Sequence, residues 1–214
     1  MPLANIIQAV AVMLSCNGIV LNYAFVMYNK SLSKIDIVQN IAKELPVPPV
    51  MSYFLCDCWY VSEKIINAFA QKGFHTIGAL KTNRLLYPSG MKKKLSEFGN
   101  PKALRAFLST DVSLTTDGIL SYYVCRWPIE IFFRQCKDKL ALDSYQIRSA
   151  QGIRRFWLLM SLAHFMCTAG TGEFCPFKTG YHKICDTIQL EKYRYLFQCA
   201  KESNDFDSFI KLAV

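Results

Sequence analysis

From residue 1 to residue 29 the chain has no charged side chain, and no Asp or Glu occurs before Asp36. An uncharged N-terminal stretch raises the question of a signal peptide or a membrane span. No basic segment precedes the apolar run, which a signal peptide requires. Asn17-Gly18 also breaks the run with a strong short-range hairpin signal. Residues 6–16 and 19–28 therefore read as two buried antiparallel strands, with a membrane hairpin as the alternative. Residues 156–169 are apolar but too short to cross a bilayer easily, so they read as a buried helix.

Nine cysteines are present, but no CxxC pair of the kind structural zinc requires. They fit reduced, mostly buried thiols in a cytoplasmic protein. Cys56 and Cys58 flank Asp57 at a strand end, where packing is favoured over metal or redox chemistry. His75, His164 and His182 have no ligand spacing and read as structural. There is also no internal repeat and no low-complexity tract.

What is present is a 52% hydrophobic chain of 214 residues, enough for a sizeable core. The 25 Lys and Arg against 16 Asp and Glu give a net charge of +9, which favours a polyanionic partner. Nucleic acid is the first such partner and an anionic membrane surface the second.

The order of elements reads as mixed α/β. After the hairpin, Ser33 and Asp36 form a capping box for a helix whose apolar face is Ile35, Val38, Ile41, Ala42 and Leu45, and Pro46, Pro48 and Pro49 end it. Residues 50–56 read as a strand buried on both faces, 62–71 as a helix closed by Gly73, and 75–80 as another strand. Residues 86–101 are a polar loop or short basic helix containing Lys92, Lys93 and Lys94, and 103–108 one more strand. A long helical region from Thr115 or Thr116 to Leu142, interrupted at Pro128, precedes a helix over 151–166. Trp127 and Trp157 read as core, and the remaining tail has helical fragments without a motif.

Chemistry concentrates between Tyr123 and Lys137. At 3.6 residues per turn, Tyr123, Arg126, Glu130, Arg134 and Lys137 share one stripe, so a carboxylate lies among cations. Periodicity alone favours a solvated helix face with i, i+4 pairs worth a few tenths of a kcal/mol each. The spacing Tyr-x2-Arg-x3-Glu-x6-Lys, however, resembles the signature of the IS4-type transposases, which are RNase H-like enzymes with three catalytic carboxylates. Asp57-Cys58-Trp59-Tyr60, Lys81-Thr82-Asn83-Arg84 and Tyr145-Gln146-Ile147-Arg148 also resemble family segments, and the resemblance covers roughly residues 19–166.

The resemblance implies that Asp57 and Glu130 are catalytic and metal-binding, and that Tyr123 and Arg126 contact DNA phosphate. It implies that Lys137 helps hold the transposon end. Arg134 and Arg148 are further candidate DNA-binding cations, the latter clustered with Arg154 and Arg155. Mg²⁺ or Mn²⁺ is the implied cofactor, because two-metal phosphodiester chemistry needs clustered hard oxygen ligands. DNA is the implied partner, a homo-oligomer is compatible with it, and no membrane is expected.

In the family the first catalytic Asp lies on a strand before the hairpin, and here no acidic residue precedes Asp36. The span between Asn83 and Ala103 is also short for the family, which implies an internal deletion. The expectation is therefore an RNase H-like mixed sheet with flanking helices over residues 1–148, truncated at its N-terminus, and a helical region over 149–214. The chain alone is expected to be an inactive transposase remnant. Two alternatives are a non-catalytic DNA-binding fragment that modulates a full-length transposase, and a basic protein anchored to a membrane by its uncharged N-terminus.

Overall fold

The computed structural model describes residues 8–16, 19–28, 30–100, 105–170, 172–203 and 205–213. The chain divides into two compact units, Met1–Phe132 and Phe133–Val214.

The first unit begins with β1 (Gln8–Cys16) and β2 (Ile19–Tyr28), an antiparallel pair whose register runs from Gln8↔Tyr28 to Cys16↔Ile19. That register leaves two residues for the connection, as the Asn17-Gly18 reading requires; those two, and residues 6 and 7 of the expected first strand, lie outside the described residues. A bulge between Val12 and Met13 shifts the pairing by one position. The strands are largely half-buried rather than buried. Alternate side chains (Val10, Val12, Ala24, Val26 and Tyr28) face the core with α1 and α2, and on the other face Phe25 packs edge-on against the buried Phe132, 6.4 Å between ring centres.

Helix α1 (Lys34–Glu44) starts as its sequence dictates. The Ser33 hydroxyl accepts from the Asp36 amide at 3.1 Å, and the Ser33 amide donates back to the Asp36 carboxylate at 3.3 Å. Val38, Ile41, Ala42 and Leu45 are buried together with Ile37, and Ile35 packs against them. Next come β3 (Ser52–Cys56), α2 (Glu63–Ala70) and β4 (Phe74–Leu80), a βαβ unit in which β3 and β4 are parallel. Gly73, at φ 85°, supplies the left-handed turn between α2 and β4. α1 and α2 pack on each other, and Ile65, Ala68 and Phe69 of α2 complete one core with the hairpin and α1. Phe69 stacks on Phe54 at 3.6 Å between centroids, and burying such a ring contributes roughly 1.5–3 kcal/mol.

β3 is half-buried, with Phe54 against α2 on one face and Tyr53 against α3 on the other. Cys56 is its sole buried residue, and Val50 and Met51, expected within the strand, precede it and are exposed. The segment read as loop or basic helix instead folds as a small hairpin, β5 (Leu85–Leu86) with β6 (Lys93–Lys94), around one 3-10 turn at Pro88–Gly90 and followed by another at Leu95–Phe98. β7 (Ala106–Ser109) then adds antiparallel to β4; residues 103 and 104, expected in this strand, lie outside the described residues. Among the described residues the sheets are β1-β2, β3-β4-β7 and β5-β6, so β1 and β3 each keep an unpaired edge.

The long helical region is two helices, α3 (Thr116–Val124) and α4 (Pro128–Leu140), separated at residues 125–127. Pro128 is the first residue of α4, where its missing N–H and fixed φ are tolerated. Trp127 ends up 53% exposed and not in the core.

In the second unit, which contains the rest of α4, α5 (Ala150–Ala169) packs on α6 (Phe177–Glu202), and α6 on α7 (Phe206–Ala213). The α5–α6 contact is close at Gly180, where an added Cβ would fall 1.7 Å from the Cys167 carbonyl oxygen. Trp157 and His164 are buried on α5. His164 stacks on Phe177 and lies 2.8 Å from the Gln135 amide oxygen. Among the described residues no helix is long and apolar enough to cross a membrane.

Candidate active site

Asp57 follows the last residue of β3, at the C-terminal end of the parallel pair, where α/β sheets present functional side chains. Its carbonyl accepts from the Tyr60 amide at 2.9 Å, so residues 57–60 form a tight turn. Arg84 donates to the Val61 carbonyl at 2.6 Å and ties this turn to the segment after β4. The turn folds back on β4 at Gly78, where a Cβ would lie 2.4 Å from the Val61 side chain and 3.0 Å from the Cys56 sulfur. Only a residue without a side chain lets the Asp57 turn sit this close to the neighbouring strand.

Arg126 and Glu130 come from the α3–α4 junction. One terminal nitrogen of the Arg126 guanidinium lies 3.2 Å from Asp57 Oδ1, and the other lies 2.6 Å from Glu130 Oε1. The two carboxylates, far apart in sequence, thus meet the two terminal nitrogens of one guanidinium. Both carboxylate side chains are partly exposed, whereas that of Arg126 is only 19% exposed. Burial disfavours the charge on Arg126, but Glu130 and Asp57 outweigh it and hold its pKa above the ordinary value. Tyr123 completes the group, with the Arg126 guanidinium carbon 5.6 Å from its ring centre. Burial raises the Tyr123 phenol pKa, so it stays a neutral hydrogen-bonding group.

Cys56, beneath this group, is buried and its thiol is pushed up to about 12, mainly by desolvation, so it packs and does not react. All the cysteines are free.

One buried carboxylate escaped the sequence reading. Asp111 accepts from the Tyr53 hydroxyl at 2.7 Å and from the Ser113 amide and hydroxyl at 2.9 and 2.6 Å. Ser113 and then Tyr53 pull its pKa down to about 2, and Asp111 in turn pushes Tyr53 up to about 12. Tyr53 also stacks on Tyr122 of α3 at 4.2 Å, so this network anchors the helix that delivers Tyr123. Tyr53 precedes Asp57 by four strand positions, roughly 13 Å, so Asp111 sits at the other end of β3 and does not join the group.

Of the other expected site residues, Arg134 and Lys137 are exposed on α4 in the second unit. Arg148 is exposed one residue before Ser149, which caps α5. Lys92 to Lys94 and Arg154 and Arg155 are likewise exposed.

Asp57 and Glu130 supply the hard oxygens that Mg²⁺ or Mn²⁺ takes, but they do not fit a two-ion centre. The Arg126 guanidinium lies between them, and among the described residues no group of three or more His, Cys, Asp or Glu that could hold a metal ion occurs.

The fold and this group define a mixed α/β domain with two strand-end and helix-borne carboxylates gathered around one arginine. The transposase DDE domain family matches residues 5–166, most of the chain, and the chain belongs to that family. Its family function is transposition, which implies DNA as partner and divalent metal ions as the usual cofactors. Neither the curated proteins nor the solved structures gave a match.

Proposed function

We propose that the chain is the catalytic-domain part of an IS4-type transposase, with an RNase H-like fold, and that alone it binds DNA without cutting it. The bridge from Arg126 to Asp57 and Glu130 carries this reading. It draws together the two residues that the family resemblance makes catalytic and offsets one of their two negative charges. In this reading Tyr123 and Arg126 meet the phosphate beside the cleaved bond, and Arg134, Lys137 and Arg148 grip flanking phosphates.

The two separate sheets support the RNase H-like assignment. Residues of β1, β2, β3 and β4 pack into one core with α1 and α2, and among the described residues β1 and β3 each have an edge that could accept one more strand. An acidic residue on that strand, from an upstream segment or a second polypeptide, would be the third carboxylate.

Without it, the chain lacks a bridging ligand for the metal pair. Losing electrostatic positioning of that kind costs roughly a hundredfold to a thousandfold in rate. Supercoiled plasmid incubated with the 214-residue chain and Mn²⁺ should remain intact. Nicking that disappears in Glu130→Ala would show that the chain completes its own site and would overturn the inactivity claim.

A further inference from the structure

Cys167, in the last turn of α5, and Cys175, two residues before α6, stand on the two sides of the α5–α6 connection within the second unit. The chain closes on itself between them. The Cys175 amide donates to the Thr168 carbonyl at 2.9 Å, and the Cys175 thiol lies 3.6 Å from the Cys167 carbonyl oxygen. Gly180 of α6 covers the same spot, where an added Cβ would fall 3.1 Å from the Cys175 sulfur as well as on the Cys167 carbonyl. Segments held one hydrogen bond apart bring Cα atoms into the range a disulfide spans, about 4.4–6.8 Å. Cys167 is buried, whereas Cys175 is half-buried and open to a small reagent.

We propose that Cys167 and Cys175 are an oxidisable pair whose disulfide fastens the turn between α5 and α6. The oxidant is a low-molecular-weight disulfide such as oxidised glutathione. The Cys175 thiolate attacks one of its sulfurs, which forms a mixed disulfide and releases one small thiolate. The Cys167 thiolate then attacks the Cys175 sulfur and releases the second. Each protein thiol gives up a proton and each departing thiolate takes one, so two protein thiols are oxidised and the reagent is reduced to two thiols. Access sets this order, because Cys167 is buried. Burial, and after it the Cys185 and Cys175 thiols, raises the Cys167 pKa, so the closing step quickens as pH rises. Cys185, exposed on α6, is a competitor but is hydrogen-bonded with Tyr181, whereas the amide and thiol of Cys175 both rest on α5. The bond closes a ring around the end of α5 beside the contact that Gly180 already makes, so the oxidised second unit is the more stable form. None of this involves Asp57, Glu130 or DNA.

Oxidised glutathione added to the folded full chain at mildly alkaline pH, followed by alkylation and digestion without reduction, tests this by mass spectrometry. Cleavage after Lys and Arg leaves Cys167 and Cys175 on one peptide, 156–178, and Cys185 on another, 184–192. The first peptide should appear lighter by two hydrogen atoms, unalkylated at both cysteines, and should accept two alkyl groups after reduction. Cys175→Ser should abolish this product and Cys185→Ser should leave its yield unchanged. The oxidised parent should unfold at higher urea than the reduced parent, a difference absent in Cys175→Ser. Cross-linking of the two peptides through Cys185 overturns the pairing. So does a mixed disulfide on Cys175 that never closes, or a parent chain that stays fully reduced. An equal urea midpoint in the oxidised and reduced parent overturns the fastening.

Discussion

Replacing Arg126 by Gln tests whether the arginine occupies a cation site. The guanidinium bridges two carboxylates that are each nearly half exposed, at 3.2 and 2.6 Å, and ion pairs this open to water contribute about 0.2–1 kcal/mol each. Its Nε is buried without a hydrogen-bond partner, which offsets part of that gain. A net of about 1 kcal/mol holds the arginine in place, and a divalent ion entering between the carboxylates must first displace it. Arg126→Gln removes this competitor, so Mn²⁺ should bind roughly fivefold more tightly than to the parent chain. The stability loss should be about 1 kcal/mol or less. Titration with Mn²⁺, followed by the electron paramagnetic resonance of the free ion, measures the affinity, and circular dichroism checks the fold. Unchanged or weaker Mn²⁺ binding by a folded Arg126→Gln chain would refute the reasoning, because the carboxylates would then not form a cation site.

Duplex binding should fall steeply with salt, and Arg134→Ala with Lys137→Ala should flatten the log–log slope by about 1.8, since each phosphate contact contributes about 0.9. A slope unchanged in that double variant would remove both residues from the DNA surface. Desolvation lowers His164 to about 4 from an ordinary 6.5, so the folded state keeps it neutral where the unfolded chain protonates it. The stability this confers is fully present above pH 6.5 and is lost as pH falls towards 4, by about 2–3 kcal/mol. Urea unfolding at several pH values should show this dependence, and His164→Gln should flatten it; equal dependence in both chains would contradict the burial argument.

Local signals in the sequence translated well. The Ser33–Asp36 capping box, the prolines after α1, Gly73 after α2 and the two-residue gap between β1 and β2 each depend on neighbours within a few positions. Pro128 marked the break in the helical region, although the separation at residues 125–127 also splits the stripe that placed Tyr123 and Lys137 on one helix. Glu130 was singled out by the spacing of a family signature and Asp57 by a separate family-like segment after a strand, but the role of Arg126 as their common partner depends on tertiary folding that brings β3 to the α3–α4 junction. Hydrophobicity misplaced Trp127 because an indole at a helix start faces whichever side the turn gives it. Trp59 on Lys81, and Asp111 under Tyr53, are contacts between distant segments with no period or motif to announce them. The β5–β6 hairpin was missed because its strands are two residues each, too short for alternation to register. The length of α6 was missed because its apolar residues do not gather on one stripe.

The proposal that Asp57 and Glu130 form one cation site, occupied by Arg126 in the parent chain, is tested most directly by anomalous diffraction from crystals of Arg126→Gln soaked in Mn²⁺. The account predicts a single strong peak about 2.0–2.6 Å from a carboxylate oxygen of each residue. Absence of a peak between them, with Mn²⁺ bound elsewhere on the chain, would contradict it.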